Sequence, residues 1–193
     1  MEIVAATLYG LDILILIAFQ VMNRDSPQFS RAVSDYGLGK TARLFRIYIL
    51  AGSIAAPLLA WQFWRAEAPA YPAAIPVYLV FVMLGRVGIG LFPNDLRGGA
   101  PSRQGKLHRA ATMLAFTCAY MTVIEATPLL SGAVTGPLSL AVSGLKQLIS
   151  LGFIAVVLTI SAPLRPYFGI AERVFLYATA VWFLTASLTL PPL

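Results

Sequence analysis

Asp95 and His108 flank one short connection, in Gly90-Leu91-Phe92-Pro93-Asn94-Asp95 and then Gly105-Lys106-Leu107-His108-Arg109. A carboxylate beside an imidazole orients the ring and raises its pKa, as acid–base chemistry requires. The same two groups can instead do no more than close a loop with a hydrogen bond. No Ser–His–Asp spacing is diagnostic, because such triads are recognised in space. Asp35 and Glu172 arrive from two other connections at the same end of the molecule.

A second set of ionisable residues, Asp12, Arg86, Glu125 and Lys146, lies inside long apolar runs. A carboxylate near a bilayer centre costs about 2.5 kcal/mol or more unless paired or protonated. Asp12 is therefore expected to face the bundle interior. With the termini on the outer side, helical rise puts Glu125, Lys146, Asp12 and Arg86 at depths of roughly 3, 10, 14 and 18 Å. The signs alternate along that order. A ladder Glu125–Lys146–Asp12–Arg86 is permitted if the helices are neighbours. It would be either an ion-pair network that fixes helix register or a proton or ion path. Glu125 and Lys146 also lie within reach of the headgroups.

Other chemistries fit poorly. Ser34-Asp35-Tyr36-Gly37-Leu38-Gly39-Lys40-Thr41 ends like a phosphate loop. Ser34, however, stands where such a loop needs its first glycine, and no strand precedes it. A glycine-rich turn into a helix is the simpler reading. One cysteine, Cys118, and one histidine cannot make an internal disulfide, nor a multi-ligand zinc or haem site unless several chains share it. No metal and no cofactor are expected.

These residues are carried on six apolar runs, near 3–22, 43–63, 74–92, 107–127, 139–162 and 170–190. Each has about 20 residues, enough to cross a hydrocarbon core of roughly 30 Å. The chain of 193 residues is 59% hydrophobic and 11% charged. A soluble domain has about 25% charged residues, so most of this length belongs in a bilayer. The expected fold is all-α: a polytopic membrane protein forming one six-helix domain over residues 1–193. The first run opens Met1-Glu2-Ile3 without a basic segment, and Gln20-Val21-Met22-Asn23-Arg24 lacks a small-x-small cleavage pattern. It is expected to stay as the first helix. Pro128 is expected to end the fourth helix and Pro137 to open the fifth. The Gly85, Gly88 and Gly90 spacing predicts close helix packing.

The net charge of +6 is unevenly placed. Loops one, three and five hold eleven Lys/Arg, from Arg24 to Arg173, against Arg65 and Lys146 on the other side. Short loops with this bias face the cytoplasm, which puts both termini outside. Contact with anionic lipid headgroups accounts for the basic excess, so no nucleic-acid partner is expected.

Ser34-Asp35-Tyr36-Gly37, the Gly90–Asp95 stretch, Gly105 through His108, and Gly169-Ile170-Ala171-Glu172-Arg173 together resemble the bacterial membrane family known as domain of unknown function 998. The resemblance spans nearly the whole chain. It implies a six-helix integral membrane protein with its marked residues on one face, and it implies no activity. Members of that family more often carry their basic residues in loops two and four, and Leu-Gly at Tyr36-Gly37. The reversed charge pattern here implies either an inverted orientation or a functional use of the basic loops.

The leading expectation is a protein of the inner membrane. Its face of Asp35, Arg86, Asp95, His108, Glu172 and Arg173 would bind an anionic headgroup or small polar ligand. The rivals are a lipid hydrolase or transferase using Asp95 and His108, and a proton-coupled carrier using Asp12 and Arg86.

Overall fold

A computed structural model describes residues 2–22, 30–66, 71–95 and 102–190. Arg24, Glu67 and Arg97 of the charge pattern lie outside the described residues.

In lipid every backbone polar group must find a partner inside the chain, so apolar segments become helices. The helices are α1 (Glu2–Met22), α2 (Ala42–Arg65), α3 (Ala74–Leu91), α4 (Arg103–Ala133), α5 (Pro137–Leu158) and α6 (Phe168–Thr189). These six described helices are long and apolar enough to cross a membrane, which makes this a multi-pass membrane protein. Short 3-10 turns at Val33–Gly37, Gly39–Thr41 and Ala162–Tyr167 complete the described elements.

Two helix ends differ from expectation. α4 runs through Pro128 to Ala133. Proline costs a helix one hydrogen bond, but neighbouring helices and Ser/Thr side chains make it tolerable in a membrane bundle. The turn before Pro128 is held by Thr127, whose hydroxyl donates to the Val123 carbonyl at 2.6 Å and accepts from Trp182 Nε1 at 3.1 Å. α5 does open with Pro137, yet it stops at Leu158. There Thr159 and Ser161 turn their hydroxyls back onto the Ala155 and Leu158 carbonyls, and Pro163 and Pro166 then hold a 3-10 turn.

Helices adjacent in sequence pack in order, and α6 returns to α1, so the six close into a ring. α6 also touches α2 and α4 and so leans inward. Trp182, Phe19, Phe175 and Tyr36 are among the largest fully buried side chains, whereas Leu14, Leu50, Leu84, Leu151 and Leu188 face outward. Such an apolar exterior suits lipid contact. The α3 glycines make the close approach their spacing predicts. A Cβ on Gly85 would lie 2.8 Å from Ala111 O of α4, one on Gly88 2.8 Å from Ala111 Cβ, and one on Gly90 3.0 Å from Ile49 of α2.

Candidate functional site

Tyr9 and Asp12 are one turn apart on the buried face of α1. Asp12 is 2% exposed and meets Arg86 of α3, with Nη2 3.0 Å from Oδ2 and 3.2 Å from Oδ1. The same Nη2 donates to the Tyr48 carbonyl of α2, and the guanidinium lies 4.5 Å from the centre of the Tyr48 ring. One turn further along α2, Gly52 leaves the room this requires. A Cβ at Gly52 would overlap the Arg86 guanidinium. Gly52 is thus a site residue that sequence reasoning missed; its only signal was a glycine amid an apolar helix.

The pair lines a narrow cavity of about 70 Å³. α1, α2, α3, α4, α6 and the Val33–Gly37 turn contribute walls, and α5 does not. Along α6 the lining runs from Glu172 to Phe183, a length of about 16 Å at helical rise. The walls are mostly apolar, with Phe45, Ile49, Val82, Ile89, Phe116 and Phe175 among them. On the terminal side the bundle closes. Ala5, Ala56, Leu59, Leu79, Val123 and Ala186, one to three turns beyond the lining on each wall helix, are all 0% exposed. The cavity is therefore blind at that end and reaches toward the face formed by loops one, three and five.

Three lining residues carry a buried polar atom with no protein partner among the described residues: Tyr9 Oη, Arg86 Nε and Thr179 Oγ1. Thr179 stands apart from the buried hydroxyls of Ser53, Thr122, Thr127 and Ser187, which all bond back to the carbonyl four residues earlier. That local bond is the usual way a helix absorbs a hydroxyl.

The outer members of the charge ladder do not join the pair. Glu125 accepts from the Tyr78 hydroxyl at 3.0 Å. Among the described residues no ion pair links Lys146 to Glu125 or to Asp12, and Lys146 sits half-buried on α5, away from the cavity walls.

The loop-facing residues form a latch. Glu172 accepts the Val33 backbone N–H at 2.6 Å while lining the cavity. Arg173 donates to the carbonyls of Arg31 and Gly169, both at 2.7 Å, and to the Tyr36 hydroxyl at 2.9 Å. Asn94 donates to Ser34 Oγ and Asp35 Oδ1 at 3.1 and 3.0 Å, and Asp35 Oδ2 accepts the Ala32 N–H. Tyr36 stacks on Phe19 with ring centres 4.7 Å apart. Loop one is thereby tied to α6, α1 and loop three, across the cavity end marked by Ser34 and Glu172.

Asp95 and His108 have separate tasks. Asp95 accepts from the Ser102 hydroxyl and from Ser102 N, whose own side chain accepts from Gly105 N to cap α4. The Ser102 hydroxyl, helped by the Ser102 N–H and Arg109, holds the Asp95 carboxyl below the usual carboxylate range. A Cβ on Gly105 would overlap that carboxylate. His108 is 3% exposed, and its Nδ1 lies 2.8 Å from the Phe92 carbonyl. Among the described residues no hydrogen bond or ion pair joins Asp95 to His108, and neither lines the cavity. Of the six candidate ligand-binding residues, Arg86 and Glu172 reach the cavity, Asp35 and Arg173 hold the latch, and Asp95 and His108 stand at the start of α4.

A scan of known protein families matches residues 5–189 to the model described as Protein of unknown function (DUF998). Neither the curated proteins nor the solved structures contain a match. A match over nearly the whole chain, on a fold whose marked residues gather at one end of a six-helix ring, shows that this protein belongs to the DUF998 family.

Proposed function

We propose that the protein binds an amphiphilic ligand drawn from the membrane, holding its polar end beside Asp12 and Arg86. The observation that carries this reading is the blind, mostly apolar cavity with three unpartnered polar groups around a buried ion pair. Ligand sites are typically apolar clefts with a few placed polar groups. The acid–base reading of Asp95 and His108 draws no support from a cavity that neither lines, and a carrier would need a passage past the closed terminal side.

Filling the space tests the proposal. Ala119 and Ala180 line the cavity and are 5% and 8% exposed. Native mass spectrometry of the wild-type protein, extracted gently from membranes, should show a retained small-molecule mass. Ala119→Leu and Ala180→Leu should lose it while melting near the wild-type temperature. Retention of that mass by both well-folded variants would defeat the reading.

The same proposal places loops one, three and five at the cytoplasmic side of the inner membrane, with both termini outside. Exposed Lys40, Arg43, Arg46, Arg103, Lys106, Arg109 and Arg165 on that face suit anionic headgroups. Lys106→Cys should react with a membrane-impermeant maleimide in inverted vesicles and be protected in right-side-out ones. The opposite pattern would reverse the orientation and leave the cavity reading untouched.

A further inference from the structure

We infer that the ligand is uncharged at its polar end: a long-chain amphiphile presenting carbonyl, ester or hydroxyl oxygen rather than phosphate. This rests on the binding reading above and sharpens it to a chemical class.

The charge inventory of the cavity comes first. Among the described residues its ionisable lining groups, apart from the tyrosines, are Asp12, Glu172 and Arg86. The positive charge of Arg86 is already matched by Asp12 at 3.0 Å. A phosphate brought to Arg86 would put a second anion beside the Asp12 carboxylate, away from water. Like charges in a low-dielectric space repel far more strongly than in water, and among the described residues no other lining side chain is a cation.

Hydrogen-bond capacity then separates the remaining classes. Arg86 Nε can only donate, whereas the Tyr9 and Thr179 hydroxyls donate or accept. An ammonium group has no lone pair to offer Arg86 Nε. A purely hydrocarbon ligand would leave all three buried groups unmet, at a real cost for each. A neutral oxygen function accepts from Arg86 Nε and can pair with either hydroxyl. The remaining walls, such as Phe45, Ile49, Phe116 and Phe175, suit the first carbons of an apolar chain, the rest of which stays outside so small a cavity.

Two probes with identical chains isolate the headgroup: dioleoylglycerol and dioleoylphosphatidylglycerol. Each is titrated into the full-length protein in neutral detergent, and binding is read by native mass spectrometry. Dioleoylglycerol should bind about tenfold tighter, its binding should be lost in Ala119→Leu and Ala180→Leu, and Tyr9→Phe and Thr179→Val should each weaken it about fivefold, the effect of one net hydrogen bond of about 1 kcal/mol. Equal or tighter binding of dioleoylphosphatidylglycerol that the cavity-filling variants abolish would overturn the inference and leave the binding reading standing. Binding of dioleoylglycerol that neither hydroxyl substitution weakens would also overturn it. Indifference of both probes to the cavity-filling variants would sink the two together.

Discussion

Arg86→Ala should destabilise the protein by about 3–5 kcal/mol, because it strands the Asp12 carboxylate inside the bundle. Asp12 is 2% exposed, and its described charge partner is Arg86. The cost comes from the uncompensated charge rather than from the loss of a strong attraction, since a buried ion pair is a weak net stabiliser against a well-packed apolar replacement. Three comparisons separate those terms. Asp12→Asn keeps a carbonyl oxygen for Arg86 Nη2 and should be milder than Asp12→Ala. The double substitution Asp12→Leu with Arg86→Met removes both charges and should recover much of what Arg86→Ala loses. Thermal unfolding in detergent, followed through the fully buried Trp182, reports all of them, and membrane yield gives a second readout. A double variant no more stable than Arg86→Ala, or equal stability for Asp12→Asn and Asp12→Ala, would remove the stranded-charge explanation.

That pair was also the most legible part of the site. Charges inside apolar runs declare themselves, and helical rise alone put Asp12 and Arg86 at nearly the same depth. Their membership of one cavity was not legible, because it depends on which helices neighbour one another. Gly52 was hidden for a related reason. The atom that needs its missing side chain belongs to Arg86 on another helix. Tyr9 and Thr179 look ordinary in sequence, and Thr179 becomes notable only when its hydroxyl fails to make the local bond its neighbours make.

The loop-facing motif shows the opposite limit. Sequence gathered Asp35, Asp95, His108, Glu172 and Arg173 at one end, yet several of their partners are backbone groups: the Val33 N–H, the Arg31 and Gly169 carbonyls, the Phe92 carbonyl and Ser102 N. Backbone groups are the same at every residue and leave no mark in a sequence. A cluster of charged and polar side chains reads as a binding face, and what the sequence does not show is that its described hydrogen bonds also tie loop one down and cap α4. The six spans were legible from hydropathy. The ends at Pro128 and Leu158 were not, because a proline's effect depends on which neighbours hold the turn around it.

Gly85→Leu should prise α3 from α4 and cost about 1–3 kcal/mol, toward the upper end because the obstacle is backbone. The first added carbon alone would lie 2.8 Å from Ala111 O, from Ala115 N and from Ala115 Cβ. Two of those atoms belong to the α4 main chain and cannot rotate aside, so the helices must separate. Separation carries a second consequence. Gly85 directly precedes Arg86, and a shift of α3 away from α4 moves the guanidinium relative to Asp12 on α1 and Tyr48 on α2, whose contacts fix it at present. The variant should therefore lose cavity binding as well as melting temperature. Gly10→Leu is the matched control: the same side chain is introduced into an apolar helix, at a position where a Cβ meets nothing within 4 Å. It should melt within a few degrees of wild type and keep its ligand. A Gly85→Leu protein as stable as Gly10→Leu would mean that the α3–α4 contact is looser than its glycines imply, and the expected displacement of Arg86 would have to be abandoned.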